Sequence, residues 1–281
     1  MYLGYYAYGL VDHYLPDALR VLADMGYAGV NLPLGGRLNP ISMSRALCQL
    51  VIDDIAAVQD SMSIRIMLDA TSPFLLSPQH SAGLDLLGAP ESQWRVTREA
   101  LEWALTLADH LGGSPLLLRS GQPAQHLTAE ATLDVLSKRL NELLPCMEGL
   151  DIDIALQPAE EHFIHNIAGF QRLLQWFDSP RLKLAVDTAT MFRQIEIPLF
   201  SALGPVRERL TYVTFRDPAV RTPAGDWIAQ GTVSCDAVVE CLKELAYRGG
   251  LFIHSWPTDH QALETAHAVY QKVRPMLEYG A

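Results

Sequence analysis

Short, near-continuous apolar runs alternate along the chain with longer stretches in which apolar residues return every three or four positions. The runs are YLGYYA from Tyr2, AGVNLP from Ala28, SIRIMLD from Ser63, PLLLRS from Pro115, DIDIALQ from Asp151, LKLAVD from Leu182, LTYVTFRD from Leu210 and GLFIHSW from Gly250. Dense Val, Ile and Leu without strict alternation predicts parallel strands covered on both faces. Between them, LPDALRVLADMGY places Leu15, Leu19, Leu22 and Met25 on one helical face and stops at Gly26. ESQWRVTREALEWALTLADHLGG stops at Gly112 and Gly113, and SCDAVVECLKELAYRGG opens on a Ser cap and stops at Gly249 and Gly250.

Eight strand-then-helix units predict a single (β/α)8 TIM barrel over residues 1–281. A doubly wound open sheet is the rival. It calls for a Gly-rich phosphate turn after the first strand, and YYAYGLVDHYLP has none. The longest irregular stretch, TSPFLLSPQHSAGLDLLGAPES, reads as a lid or as a surface excursion.

A net charge of −11 removes duplex nucleic acid and anionic membrane surfaces from the expected partners. The four cysteines, Cys48, Cys146, Cys235 and Cys241, are scattered, as expected for reduced thiols in the cytoplasm. The start MYLGYYAYGLVDHY lacks the basic residues of a signal peptide, and no apolar run approaches the ~20 residues needed to span a bilayer.

In such a barrel, chemistry sits at the C-terminal ends of the strands. Those ends carry Tyr6, Asn31, Asp69, Arg119, Gln157, Asp187, Thr214 with Arg216 and Asp217, and His254. Arg216 and Arg119 are two guanidiniums able to bind a carboxylate or phosphate, or else to pair with Asp69, Asp187 or Asp217. His162 and His165 follow Gln157; Glu160, Glu161 and His162 leave the same strand end and could supply replacement ligands, but an exposed loop leading into the fifth helix is the expected reading. Tyr6, Phe163, Phe192 and Trp256 gather near the same strand ends, as a ring-binding wall or as rim packing.

GYYAYGLVDHYLPDALRVLADMGYAGVNL, TREALEWALTLADHLGGSPLLLRSG, LAVDTATMF, YVTFRD and AQGTVSCDAVVECLKELAYRGGLFIHS together resemble the xylose-isomerase-like barrels, the sugar phosphate isomerase/epimerase superfamily. The resemblance covers essentially the whole chain. It implies a sugar-like small-molecule substrate and one divalent metal held by a Glu, an Asp, a His and a Glu at the ends of strands five to eight. Carried over, those positions are Gln157, Asp187, Thr214 and His254, and the His that often follows the Asp by three residues is Thr190. Only the Asp survives, so the resemblance implies a degenerate metal site. Asp187 and His254 remain as a weak divalent site at most. The family's paired-carboxylate proton shuttle cannot run, since Gln157 does not titrate. The DNA-repair branch of the superfamily needs a His-rich metal cluster. TFRD lacks its His, and GDWIAQG keeps Asp226 but has Ile228 at the next ligand position.

The expected function is therefore an isomerase, epimerase or lyase acting next to a carbonyl on a hydroxylated, anionic substrate with no tight metal. His254 is the expected acid/base, Asp187 its orienter or a residual ligand, and Gln157 a hydrogen-bonding partner of the substrate. Arg216 and Arg119 anchor the anion, and Thr214, Trp256 and Tyr6 line the pocket. The alternative is a non-catalytic ligand-binding or subunit-like barrel. A homo-oligomer, or a partner subunit completing the site, stays open.

Overall fold

The apolar runs form strands because both faces of each are covered, and β-branched and aliphatic side chains pack well on a pleated surface. The computed structural model describes residues 1–10, 13–35, 45–71, 84–217, 231–254 and 262–278. The strands are β1 (Tyr2–Tyr6), β2 (Gly29–Pro33), β3 (Arg65–Asp69), β4 (Leu116–Leu118), β5 (Ile154–Leu156), β6 (Leu182–Asp187), β7 (Leu210–Phe215) and β8 (Gly250–Ile253). They run in sequence order, and β8 closes on β1 in parallel, with Tyr2 opposite Gly250 and Tyr5 opposite Ile253. This is the closed (β/α)8 barrel that the alternation predicts, and the β8–β1 pairing excludes the open sheet. The described helices are α1 (Leu15–Met25), α2 (Arg45–Met62), α3 (Glu91–His110), α4 (Ala129–Leu150), α5 (Ile167–Leu174), α6 (Thr188–Arg193), α7 (Leu199–Leu203), α8 (Cys235–Glu244) and α9 (Ala262–Glu278). None of the described helices is long and apolar enough to cross a membrane.

Two compact units are distinguished, residues 1–32, 53–66 and 186–281, and residues 33–52 and 67–185. In the first, β1 pairs with β2 and β8, and β7 pairs with β8. Gly26 ends α1 at φ 102°, where its N–H caps the helix, and a Cβ there would fall 2.1 Å from the Tyr270 hydroxyl. Both the backbone angle and the space demand glycine. Tyr27 lies between the rings of Tyr5 and Tyr270 at 5.2 and 5.1 Å, and its hydroxyl donates to the Ala266 carbonyl.

In the second unit β4 pairs with β3 and β5, and β5 pairs with β6. β4 and β5 are buried throughout. Arg139 of α4 is 5% exposed, stacks 4.6 Å from the Trp94 ring and donates to the carbonyls of Leu86 and Ala89 and to Glu91. Those bonds tie down the backbone leading into α3 at Leu86 and Ala89.

Candidate active site

Asp187 is the last residue of β6 and the N-cap of α6. Its Oδ1 accepts the Thr190 N–H at 2.9 Å, a standard use of Asp at a helix start. The same carboxylate faces Arg216, just past β7. Nη2 donates to Oδ1 at 3.2 Å, and Nε lies 3.1 Å from Oδ2. Arg216 is fixed from its backbone as well: its N–H donates to the Thr188 hydroxyl at 2.9 Å, and that hydroxyl donates back to its carbonyl at 2.8 Å. Asp217 is buried and accepts the Val233 N–H at 2.7 Å. His254 follows β8; its N–H donates to the Phe215 carbonyl at 3.1 Å, and its ring lies 4.5 Å from the Tyr6 ring. Thr214 is buried, and its hydroxyl has no hydrogen-bond partner among the described residues.

In the other unit, Arg119 follows β4 and Gln157 follows β5. Nε and Nη2 of Arg119 approach Gln157 Oε1 at 3.4 and 3.3 Å, long for hydrogen bonds. Among the described residues Arg119 forms no ion pair. The nearby Asp69, at the end of β3, is fully buried. Its Oδ1 accepts the Thr71 N–H at 2.7 Å, while Oδ2 has no hydrogen-bond partner among the described residues. Burial pushes the Asp69 carboxyl above its usual range, against the opposing pull of Thr71 and Arg119.

The connections after β4 and β5 are laced together. The Gly121 N–H donates to His162 Nδ1 at 3.0 Å, the Phe163 N–H to the Gly121 carbonyl at 2.9 Å, and the Ile164 N–H to the Ser120 hydroxyl at 2.9 Å. Gly121 has φ 82°, and a Cβ there would sit 2.2 Å from Asp85 Oδ1 and 2.8 Å from the Gly88 nitrogen. Only glycine lets the connection after β4 approach the one after β3 this closely. They border a cavity of about 770 Å³, whose lining includes Arg119, His162, Leu84, Leu87, Pro123 and Leu127. Burial, with a smaller effect of Arg119, lowers His162 to about 4.

The expected site residues are thus distributed as follows. Asp187 and Arg216 form a pair, so Arg216 takes the ion-pairing alternative, and Asp187 orients Arg216; the ring partner seen for His254 is Tyr6. Arg119 contacts Gln157 instead of a carboxylate. His162 is not on an exposed loop but half-buried against Gly121, because the neighbouring connection folds over it. Only its position shortly after Gln157, on the same connection, hinted at this. Trp256, Asp226 and Ile228 lie outside the described residues. No group of three or more His, Cys, Asp or Glu among the described residues is placed to hold a metal ion.

The same architecture occurs in solved structures of sugar epimerases. The 3-keto-D-glucoside 4-epimerase of E. coli is 15% identical, with a TM-score of 0.78 over 98% of this chain and 99% of that one. The D-psicose 3-epimerase of Clostridium cellulolyticum H10 is 15% identical, with a TM-score of 0.77 over 99% and 100%. The D-allulose 3-epimerase of a Methylomonas species is 16% identical, with a TM-score of 0.71 over 99% and 98%. At such identities the likeness is one of fold. No curated protein sequence matches the chain. The family model for the xylose isomerase-like TIM barrel matches residues 19–277, and the chain belongs to that family.

Proposed function

We propose that this protein is an isomerase- or epimerase-type enzyme, with lyase chemistry as its nearest variant, acting next to a carbonyl on a hydroxylated, anionic small molecule without a bound divalent metal. The observation that carries the metal-free reading is the Asp187–Arg216 pair. A divalent ion needs several anionic oxygens or imidazoles around it. Here the one acidic residue left of the family pattern already accepts a guanidinium and a backbone N–H. The oxygen of Gln157 likewise faces Arg119. A cation at either strand end would have to displace a guanidinium of the same sign, so these residues do not fit the metal.

His254 is then the remaining general acid/base, taking a proton from the carbon beside the carbonyl and returning it. Tyr6 packs against its ring and limits its rotation. The wide resemblance to sugar epimerases, all on the same barrel, supports a sugar-like skeleton.

The same pairings favour a second reading, a binding barrel without catalysis, since neither Gln157 nor the paired Asp187 is available as a base. One experiment separates the two. Chelator-treated protein is incubated in D2O with ketoses, their phosphates and keto-aldonates, and deuterium wash-in beside the carbonyl is followed by NMR. The enzyme reading expects wash-in that survives chelation and is lost in H254Q. Wash-in abolished by chelator sinks the metal-free assignment. Binding of a probe with no wash-in selects the binding barrel.

A further inference from the structure

We propose that the cavity between the connections following β3, β4 and β5 is an anion-binding site, in which Arg119 supplies the charge and His162 a neutral imidazole N–H, and that it takes the carboxylate or phosphate end of a hydroxylated ligand. Identifying that ligand with the substrate rests on the reading above; the site itself does not.

Arg119 is half-buried, its contacts among the described residues are two long approaches to one amide oxygen, and it makes no ion pair among them. Asp69, whose carboxyl feels the Arg119 charge, is held towards its neutral form by burial. A guanidinium so placed, with donors to spare, matches two oxygens of an anion. The second arginine of the cavity, Arg139, is already balanced: Nη1 donates to the Leu86 and Ala89 carbonyls and Nη2 pairs with Glu91, while its Nε is buried with no hydrogen-bond partner among the described residues.

His162 adds the second donor. The Gly121 N–H can only donate, so His162 Nδ1 must accept, and the ring proton resides on Nε2. The lacing of Gly121, Phe163 and Ile164 holds the ring in place without help from a ligand. Burial and the adjacent Arg119 keep the imidazole uncharged down to about pH 4, so it acts as a hydrogen-bond donor and not as a second cation. The charged and titratable groups lining the cavity with it are Arg119, Arg139, Asp85, Glu91, Glu161 and His126. Glu91 pairs with Arg139, and Asp85 Oδ1 accepts the Gly88 N–H. A volume of about 770 Å³ exceeds what the anionic group alone needs and leaves room for a polyol chain against Leu84, Pro123 and Leu127.

The test uses the full chain and three probes on one skeleton: D-ribose, D-ribonate and D-ribose 5-phosphate, titrated by calorimetry or NMR. Both anions are expected to bind about tenfold or more tightly than ribose, and R119M should abolish the preference. The tighter of the two anions identifies the source. H162F should weaken anion binding by about tenfold, while H162Q, which keeps a donor, should restore most of it. If H162F fails to fold, the parent supplies an independent reading. Long-range 15N NMR should show the neutral Nε2–H tautomer of His162 from pH 8 to 5, with its Nε2–H resonance moving as ribonate is added. In an H126Q background, ribonate affinity should not rise as pH falls from 7.5 to 5.5. Equal affinity for ribose and the anions overturns the proposal, as does affinity that rises as His162 takes up a proton. Anion binding without deuterium wash-in would remove the enzyme reading and leave this site standing.

Discussion

The Asp187 carboxylate and the Arg216 guanidinium neutralise each other across the ends of β6 and β7, with Nε 3.1 Å from Oδ2 and Nη2 donating to Oδ1 at 3.2 Å. The side chains are 10% and 26% exposed, so water does little to screen them. Removing one partner of such a pair costs more than removing both, because the survivor keeps its desolvation penalty. Arg216→Met and Asp187→Asn should each destabilise the fold by about 1–3 kcal/mol, and the double variant by clearly less than their sum. Urea denaturation of the four proteins gives the coupling; strict additivity would mean that the pair contributes nothing.

The same pair sets an expectation for metals. Millimolar Mn, Co or Mg should raise the melting temperature of chelator-treated parent protein by less than about 1 °C, since an ion that binds the folded state tightly would stabilise it measurably. Elemental analysis of protein purified without added ions should find well under one equivalent. A stoichiometric ion lost together with Asp187 would overturn the metal-free assignment.

Asp69 gives a pH-dependent prediction whose sign follows from its surroundings. Burial raises its folded-state pKa above the ordinary 3.8, so between those two values the folded chain holds a proton that the unfolded chain has released. Its contribution is most favourable below the unfolded value and is lost as pH rises through the folded one. Asp69→Asn keeps an oxygen for the Thr71 N–H and cannot ionise. The melting temperature of the parent minus that of the variant should therefore fall as pH rises from 4 to 8. A difference that stays flat or grows would place an unrecognised cation beside Asp69.

The barrel was legible because its strands are continuous apolar runs and its helices begin and end on recognisable caps. Ser234 accepts the Ala237 N–H, and Gly26 takes the left-handed angle, as the local pattern predicts. Asp187 was legible as a strand end, and its capping role was implicit in the polar residues that follow it. Partner choice was not legible. Arg119 and Arg216 stand at similar distances past strand ends, yet one meets a carboxylate and the other an amide. That difference depends on which acid the fold buries, and Asp69 is fully buried on a strand that pairs with β4 at Leu117, far from it in sequence. The Gly121–His162 bond is likewise long-range, joining residues 41 apart through two loops with no shared motif.

Asn31 separates a structural polar group from a functional one. It stands on β2 with no exposure and donates from Nδ2 to the Tyr212 hydroxyl at 2.6 Å, while its Oδ1 has no hydrogen-bond partner among the described residues. Tyr212 is itself fully buried and stacks on Phe252 at 4.4 Å. Tyr212→Phe keeps the stacked ring and removes the one acceptor that the Asn31 amide has among the described residues. A buried donor left unpaired costs about 1–3 kcal/mol, so the variant should lose stability by that order. Adding Asn31→Leu removes the stranded amide at similar volume, and the double variant should recover a good part of the loss. Ligand binding measured on the same proteins gives the second axis. If Asn31 serves only the fold, stability recovers and binding is unchanged throughout. If the Asn31 oxygen serves a ligand, the double variant regains stability but loses affinity, and Asn31 joins the functional residues.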